Sequence, residues 1–112
     1  YAKHLSQRST ILYRLKIIIM EDNTLIAEFM GMELGDDKTV YYDDAENLHP
    51  PTPVNELQFH TSWDWLMPVV YKILWLKGYE DESYEDIHNG LTNALLTQTY
   101  DAVVEFIKQY KQ

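Results

Sequence analysis

The tightest constraint on this chain is the stretch from Thr61 to Tyr79, which holds all three tryptophans and the densest apolar run in the sequence. Leu66, Val69, Val70, Ile73 and Leu76 recur at the i, i+3, i+4, i+7 and i+10 spacing that aligns side chains on one face of a helix. Trp65 extends that face backwards. Ser62 or Asp64 can accept a backbone N–H at its start, and Gly78 can supply the left-handed residue that commonly ends a helix. Pro68 removes one hydrogen bond in the second turn, which predicts either a start as late as Asp64 or a bend there. Such a helix needs partners over its apolar face, and the rest of the chain has to supply them.

Upstream, Glu21 to Leu34 reads as a first helix capped by Asp22 or Asn23, with Leu25, Ile26, Phe29 and Met30 as its stripe and Gly31 weakening its end. Gly35 to Lys38 is a turn by composition, and Thr39 to Tyr42 is a short segment of β-formers. Asp43 to Asn55, interrupted by Pro50, Pro51 and Pro53, is expected to be an exposed loop. Glu56 to His60 alternates and is expected to pair back as a small hairpin. Downstream, Glu80 to Asp86 carries five acids in seven residues and reads as a solvated turn, with Ser83 and Asp86 forming a weak capping box. Ile87, Leu91, Ala94 and Leu95 mark one helical face, softened by Gly90. Thr97 or Thr99 opens a last helix on which Tyr100, Val103, Val104, Ile107 and Tyr110 share a face and Lys108 and Lys111 suit the dipole. The expectation is a single α+β domain over residues 20–112, mainly helical with a small antiparallel hairpin. Helices near 21–34, 62–77 and 98–111 pack there through Phe29, Leu66, Val70, Ile73, Val104 and Ile107.

Residues 1–19 differ in kind from the rest of the chain. They carry Lys3, Arg8, Arg14 and Lys16 and no acid, whereas the remaining 93 residues hold five cations and all 18 acids, a net charge of −13. Ile11, Tyr13, Leu15, Ile17 and Ile19 alternate with the period of a strand, a short basic helix being the other possibility. The preferred reading is a basic extension, non-native and upstream of a natural start near Met20; the other is an added strand or arm. A secretory signal would need a continuous apolar centre and a small-residue cleavage site, which this segment lacks. No run reaches the roughly 18 apolar residues of a membrane-spanning helix, so no membrane is expected. The chain has no cysteine, which excludes disulfides and thiol chemistry and makes the cytoplasm the default location. An acidic body repels phosphate backbones, so direct nucleic-acid binding is disfavoured; imitation of nucleic acid toward a basic partner is the rarer use of the same charge.

Catalytic signals are thin. His60 and Asp64 are four apart, the spacing of a two-ligand metal site or an acid–base pair, and His49 could approach them in space. Two ligands do not make a site, and a hydrogen-bonded polar role for His60 where the chain enters the helix is the commoner outcome. Glu80 to Asp86 lacks the ligand pattern of a calcium loop. Phosphate loops, nucleophile elbows and dinucleotide fingerprints are absent, and no cofactor is expected. The aromatic set Trp63, Trp65, Tyr71, Trp75 and Tyr79 reads mostly as core, but Trp63 and Trp65 are two residues apart, so one should face outward. Trp63, with Glu80, Asp81, Glu82, Glu85 and Asp86, is the candidate interaction surface.

Through Leu25 to Gly31, Phe59 to Val70 and Tyr100 to Tyr110 the chain resembles a group of small proteins of tailed bacteriophages and prophages, some carrying a phage α-β-α sandwich domain. The three blocks fall in the same order and span most of residues 24–110. Glu80 to Gln98 reads as helical where many members of the group have strands, and Gln109, Tyr110 and Lys111 stand where the last block commonly ends in tryptophan and asparagine. The resemblance implies a phage accessory role and no known activity. Joined to the acidic body, it leads to the expectation of a protein that binds a partner with a basic surface. A metal-assisted hydrolase and a structural virion component are the alternatives.

Overall fold

One helix, α1, runs from Ala2 to Phe29. It belongs to a computed structural model that describes residues 2–42, 51–77 and 82–111, with the side chains of residues 2–10, Tyr42 and Ser83 left aside. The expected strand at residues 11–19 is therefore helical, and the expected cap at Asp22 or Asn23 lies inside the helix. The reason is local. No glycine or proline occurs between Ala2 and Met30, and a helix satisfies its backbone within itself, whereas a strand here would need a neighbour. Gly31, at φ 95°, turns the chain out of the helix. Met32–Leu34, expected as the last helical turn, leaves instead as strand β1.

Strand β2, Thr39–Tyr42, pairs antiparallel with β1, with Glu33 opposite Tyr41. In the turn between them the Lys38 N–H donates to the Gly35 carbonyl at 3.1 Å and the Asp37 carboxylate accepts the Thr39 N–H at 3.2 Å. The third strand, β3, is Thr52–Pro53, and the sheet order is β1-β2-β3. Glu56 to His60, expected to pair with β2, forms no strand. Val54–Glu56 is a 3-10 turn, and a further turn comes after it, in which the Gln58 carbonyl accepts the Thr61 and Ser62 N–H groups. The alternation is real, since Leu57 and Phe59 are buried and Gln58 is exposed, but it serves packing rather than pairing. Residues 43–50 of the expected loop lie outside the described residues.

Helix α2, Trp63–Lys77, is the expected core helix: Leu66, Val69, Val70 and Ile73 are each fully buried. The Ser62 carbonyl accepts the Trp65 and Leu66 N–H groups, and Pro68 sits within the helix on its exposed side. Leu76, expected on the core face, is largely exposed. Gly78, the expected terminator, lies outside the described residues.

Helices α3, Glu85–Thr92, and α4, Leu96–Tyr110, form a hairpin. The residue capping α3 is Tyr84, through its backbone, so the capping box expected from Ser83 and Asp86 does not set this end. Leu95 N–H donates to the Gly90 carbonyl and Ala94 N–H to the Leu91 carbonyl, both at 3.0 Å, with Ala94 at φ 55°. That is a Schellman motif with alanine where glycine is usual. Ala94 and Leu95, expected on the buried face, are thus exposed turn residues, and α4 opens at Leu96 rather than at a threonine. Gly90 is a contact point rather than a soft spot. A Cβ there would stand 2.4 Å from Thr99 Oγ1 and 2.9 Å from Thr99 Cα, so only glycine lets α3 and α4 touch.

Ile26, Leu66, Val70, Ile73, Ile87 and Ile107 are all inaccessible to solvent at the centre of one core that takes side chains from every helix. Of the expected contacts, Leu66, Val70, Ile73, Val104 and Ile107 are buried and Phe29 packs at the margin. The protein is a single, mainly helical α+β domain with a small antiparallel sheet of three strands. Its radius of gyration is 15.8 Å, against about 13 Å for a spherical domain of this length. The excess reflects the upstream half of α1, where Ile11, Leu12, Tyr13, Leu15 and Ile18 remain between 51% and 67% exposed.

Candidate functional site

Asn23, His60 and Tyr100, far apart in sequence and joined by no motif, meet beneath α1. Asn23 is 1% exposed, and its amide nitrogen donates to the Leu57 carbonyl at 3.2 Å and meets His60 Nδ1 at 3.0 Å. Its amide oxygen accepts the Tyr100 hydroxyl proton at 2.9 Å. The orientation follows from the neighbours: a carbonyl only accepts, so the NH2 end must face Leu57. His60 Nδ1 therefore accepts, which makes the ring neutral with its proton on Nε2. Burial pushes the His60 pKa below its ordinary value, in keeping with that state. The Tyr100 phenol is pushed well above the usual range, first by burial and then by the Asp22 and Asp101 carboxylates. Burial also raises the Asp22 carboxyl, against the opposing pull of Lys108 3.8 Å away. The network joins α1, the turn before α2, and α4, and its geometry is that of a structural tie.

His60 thus takes the structural role at the entry to α2. Asp64 stands exposed in the first turn of α2, and His49 lies outside the described residues. No group of three or more histidine, cysteine, aspartate or glutamate side chains that could hold a metal ion occurs among the described residues. Nor is any helix among them long and apolar enough to cross a membrane.

The outward tryptophan is Trp75, not Trp63. Trp63 is half-buried against the core, and so is Trp65, whose ring meets Phe59 edge-on at 5.3 Å. Two residues apart on a helix, the pair flanks the Leu66–Val70–Ile73 face from its two shoulders, so neither needs to point away. Trp75 is 90% exposed and Tyr71, one turn before it, 62%. Asp64 and Pro68 continue the same exposed stripe toward the start of the helix. Plotting α2 at 100° per residue puts these four opposite the buried face, a signal the count of aromatics alone conceals. The two lysines of the helix are already engaged: Lys72 lies over the Phe29 ring and donates to the Phe29 carbonyl, and Lys77 lies 5.8 Å from the Tyr110 ring centre. Glu82, Glu85 and Asp86 are exposed at the start of the α3 hairpin, while Glu80 and Asp81 lie outside the described residues.

A mostly apolar groove of about 360 Å³ opens between α1 and the sheet, floored by Met20, Leu25, Leu34 and Val54 and edged by Glu21 and Glu28. Neither this groove nor the α2 stripe presents a nucleophile with a general base beside it. Comparison of the chain with protein-family models, with curated proteins and with solved structures returns no match.

Proposed function

We propose that this is a binding protein that recognises another protein, the resemblance to phage and prophage proteins supporting an accessory role of that kind. The observation that carries the reading is Trp75, fully out in solvent on a helix whose opposite face is the core. A large, rigid aromatic costs little conformational entropy to immobilise and is typical of residues that dominate binding energy. The acidic body supplies long-range steering toward a basic surface, and Glu82, Glu85 and Asp86 remain available for it. The partner is thus a protein with a basic surface and an apolar pocket sized for an indole.

Capture from bacterial lysate on immobilised protein tests this. Retention of one partner should fall on Trp75→Ala and fall again as salt rises, since exposed charges are screened over about 10 Å at 0.1 M. Joint neutralisation of Glu82, Glu85 and Asp86 to their amides should weaken capture with the melting temperature nearly unchanged. Capture indifferent to Trp75, to salt and to these acids would remove the proposal.

A further inference from the structure

The upstream half of α1 is apolar on nearly every side, and a helix of that composition is ordinarily covered. Ile11, Leu12, Leu15 and Ile18 are each more than half exposed. The charge of the helix changes sign along its length. Residues 2–19 hold only cations, including Arg14 and Lys16, and residues 20–29 hold only acids, Glu21, Asp22 and Glu28. A helix basic in one half and acidic in the other is complementary to itself when laid antiparallel.

We propose that α1 pairs antiparallel with α1 of a second copy of this chain, about a two-fold axis at Ile18. Ile11, Ile18 and Leu25 repeat every seven residues and form one stripe, the period of a helix–helix seam. Reversal about Ile18 sets Ile18 against its own copy and Ile11 against Leu25 of the second copy. Arg14 and Glu21 lie on the same flank of that stripe, and the reversal brings each beside the other on the opposite chain, giving two equivalent ion pairs. Such an isologous arrangement closes on itself as a dimer. The groove floored by Met20, Leu25, Leu34 and Val54 opens along the Glu21 and Glu28 flank, where the basic arm of the second copy arrives. Leu34, 48% exposed on the sheet side of that groove, adds apolar surface to the same contact.

Sedimentation equilibrium of the full chain over a wide concentration range tests the pairing. The expected result is a mass of two chains, reduced to one by Ile18→Glu with helicity retained. Arg14→Glu and Glu21→Arg should each raise the dissociation constant by about tenfold, because each turns both symmetric pairs repulsive. The double swap, Arg14→Glu with Glu21→Arg, should restore the original dimer; both positions are exposed, so folding is not at issue. A single-chain mass at every concentration, or a double swap no tighter than either single, overturns the proposal. Flotation of a single-chain species with phosphatidylglycerol vesicles would do so too, by assigning the arm to an anionic membrane surface.

Discussion

The two halves of α1 share a helical backbone and almost nothing else. Downstream of Met20 the helix is held from outside. Ile26 and Ala27 are fully buried, Asn23 is bonded to three other parts of the chain, and Lys108 and Lys111 of α4 reach Asp22 and Glu28 at 3.8 and 3.4 Å. Upstream, Ile11 to Ile18 carries as many apolar side chains but packs almost none of them within its own chain. Apolar content and helical order therefore do not by themselves identify a core; what distinguishes the halves is whether another element lies opposite.

The largest effect should come from breaking this contrast with one charge. Ile26→Asp leaves an unpaired carboxylate in the core and should cost at least about 3 kcal/mol, read as a collapse of the denaturation midpoint. Leu12→Asp, in the exposed half, should leave that midpoint where it was, since surface substitutions typically stay within about 0.5 kcal/mol. Equal losses from the two would show that both halves belong to one core.

Asn23→Ala should come next. It strands the Tyr100 hydroxyl, the Leu57 carbonyl and His60 Nδ1 together, and orphaned buried polar groups cost about 1–3 kcal/mol. Urea unfolding measures it. An unchanged midpoint would mean that water replaces the amide and that the network does not tie α1 to α4.

This network also marks where the sequence could and could not be read. The buried face of α2 follows from one period of apolar residues, and Leu66, Val70 and Ile73 lie where that period puts them. The partners of Asn23 are 34, 37 and 77 residues away, and nothing local distinguishes an asparagine that will be buried from one that will cap a helix. Trp75 was hidden for another reason: aromatic residues are usually buried, so its position opposite the core face had to outweigh its chemistry. Met32 to Leu34 carried a helical period and became a strand because Gly31 ended the helix before it.

A smaller effect should appear with pH. Burial lowers the His60 pKa below its ordinary value of 6.5, so the unfolded chain takes up this proton before the folded one does. Stability contributed by the neutral ring is complete above 6.5 and is lost as pH falls through 6.5 toward the folded value, where the loss levels off. Asp22, whose carboxyl is raised by burial, acts with the opposite sign in the carboxylate range, so the two contributions separate above about pH 5. Melting temperatures of the protein and of His60→Asn, compared from neutral pH downward, should converge as pH falls; parallel curves would exclude His60 as the source.

The smallest expected change in overall stability comes from Lys16→Gly, and it sharpens the contrast most. Lys16 is exposed in a stretch of α1 that intrachain packing does not hold, so local helix propensity carries most of the order there. Glycine lowers that propensity by about 1 kcal/mol relative to the best helix formers. In a single-chain species, such as one carrying Ile18→Glu, amide exchange over residues 11–18 should speed up and far-UV helicity should drop, while the melting temperature stays put. The core does not begin until Met20, so unwinding upstream leaves every buried contact in place. In the paired wild-type chain the same substitution should instead weaken association, because the segment presented to the second copy must then be ordered before it binds. A melting temperature that falls with Lys16→Gly in the single-chain background would mean that the upstream half is held by its own domain, and the division of α1 at Met20 would have to be abandoned.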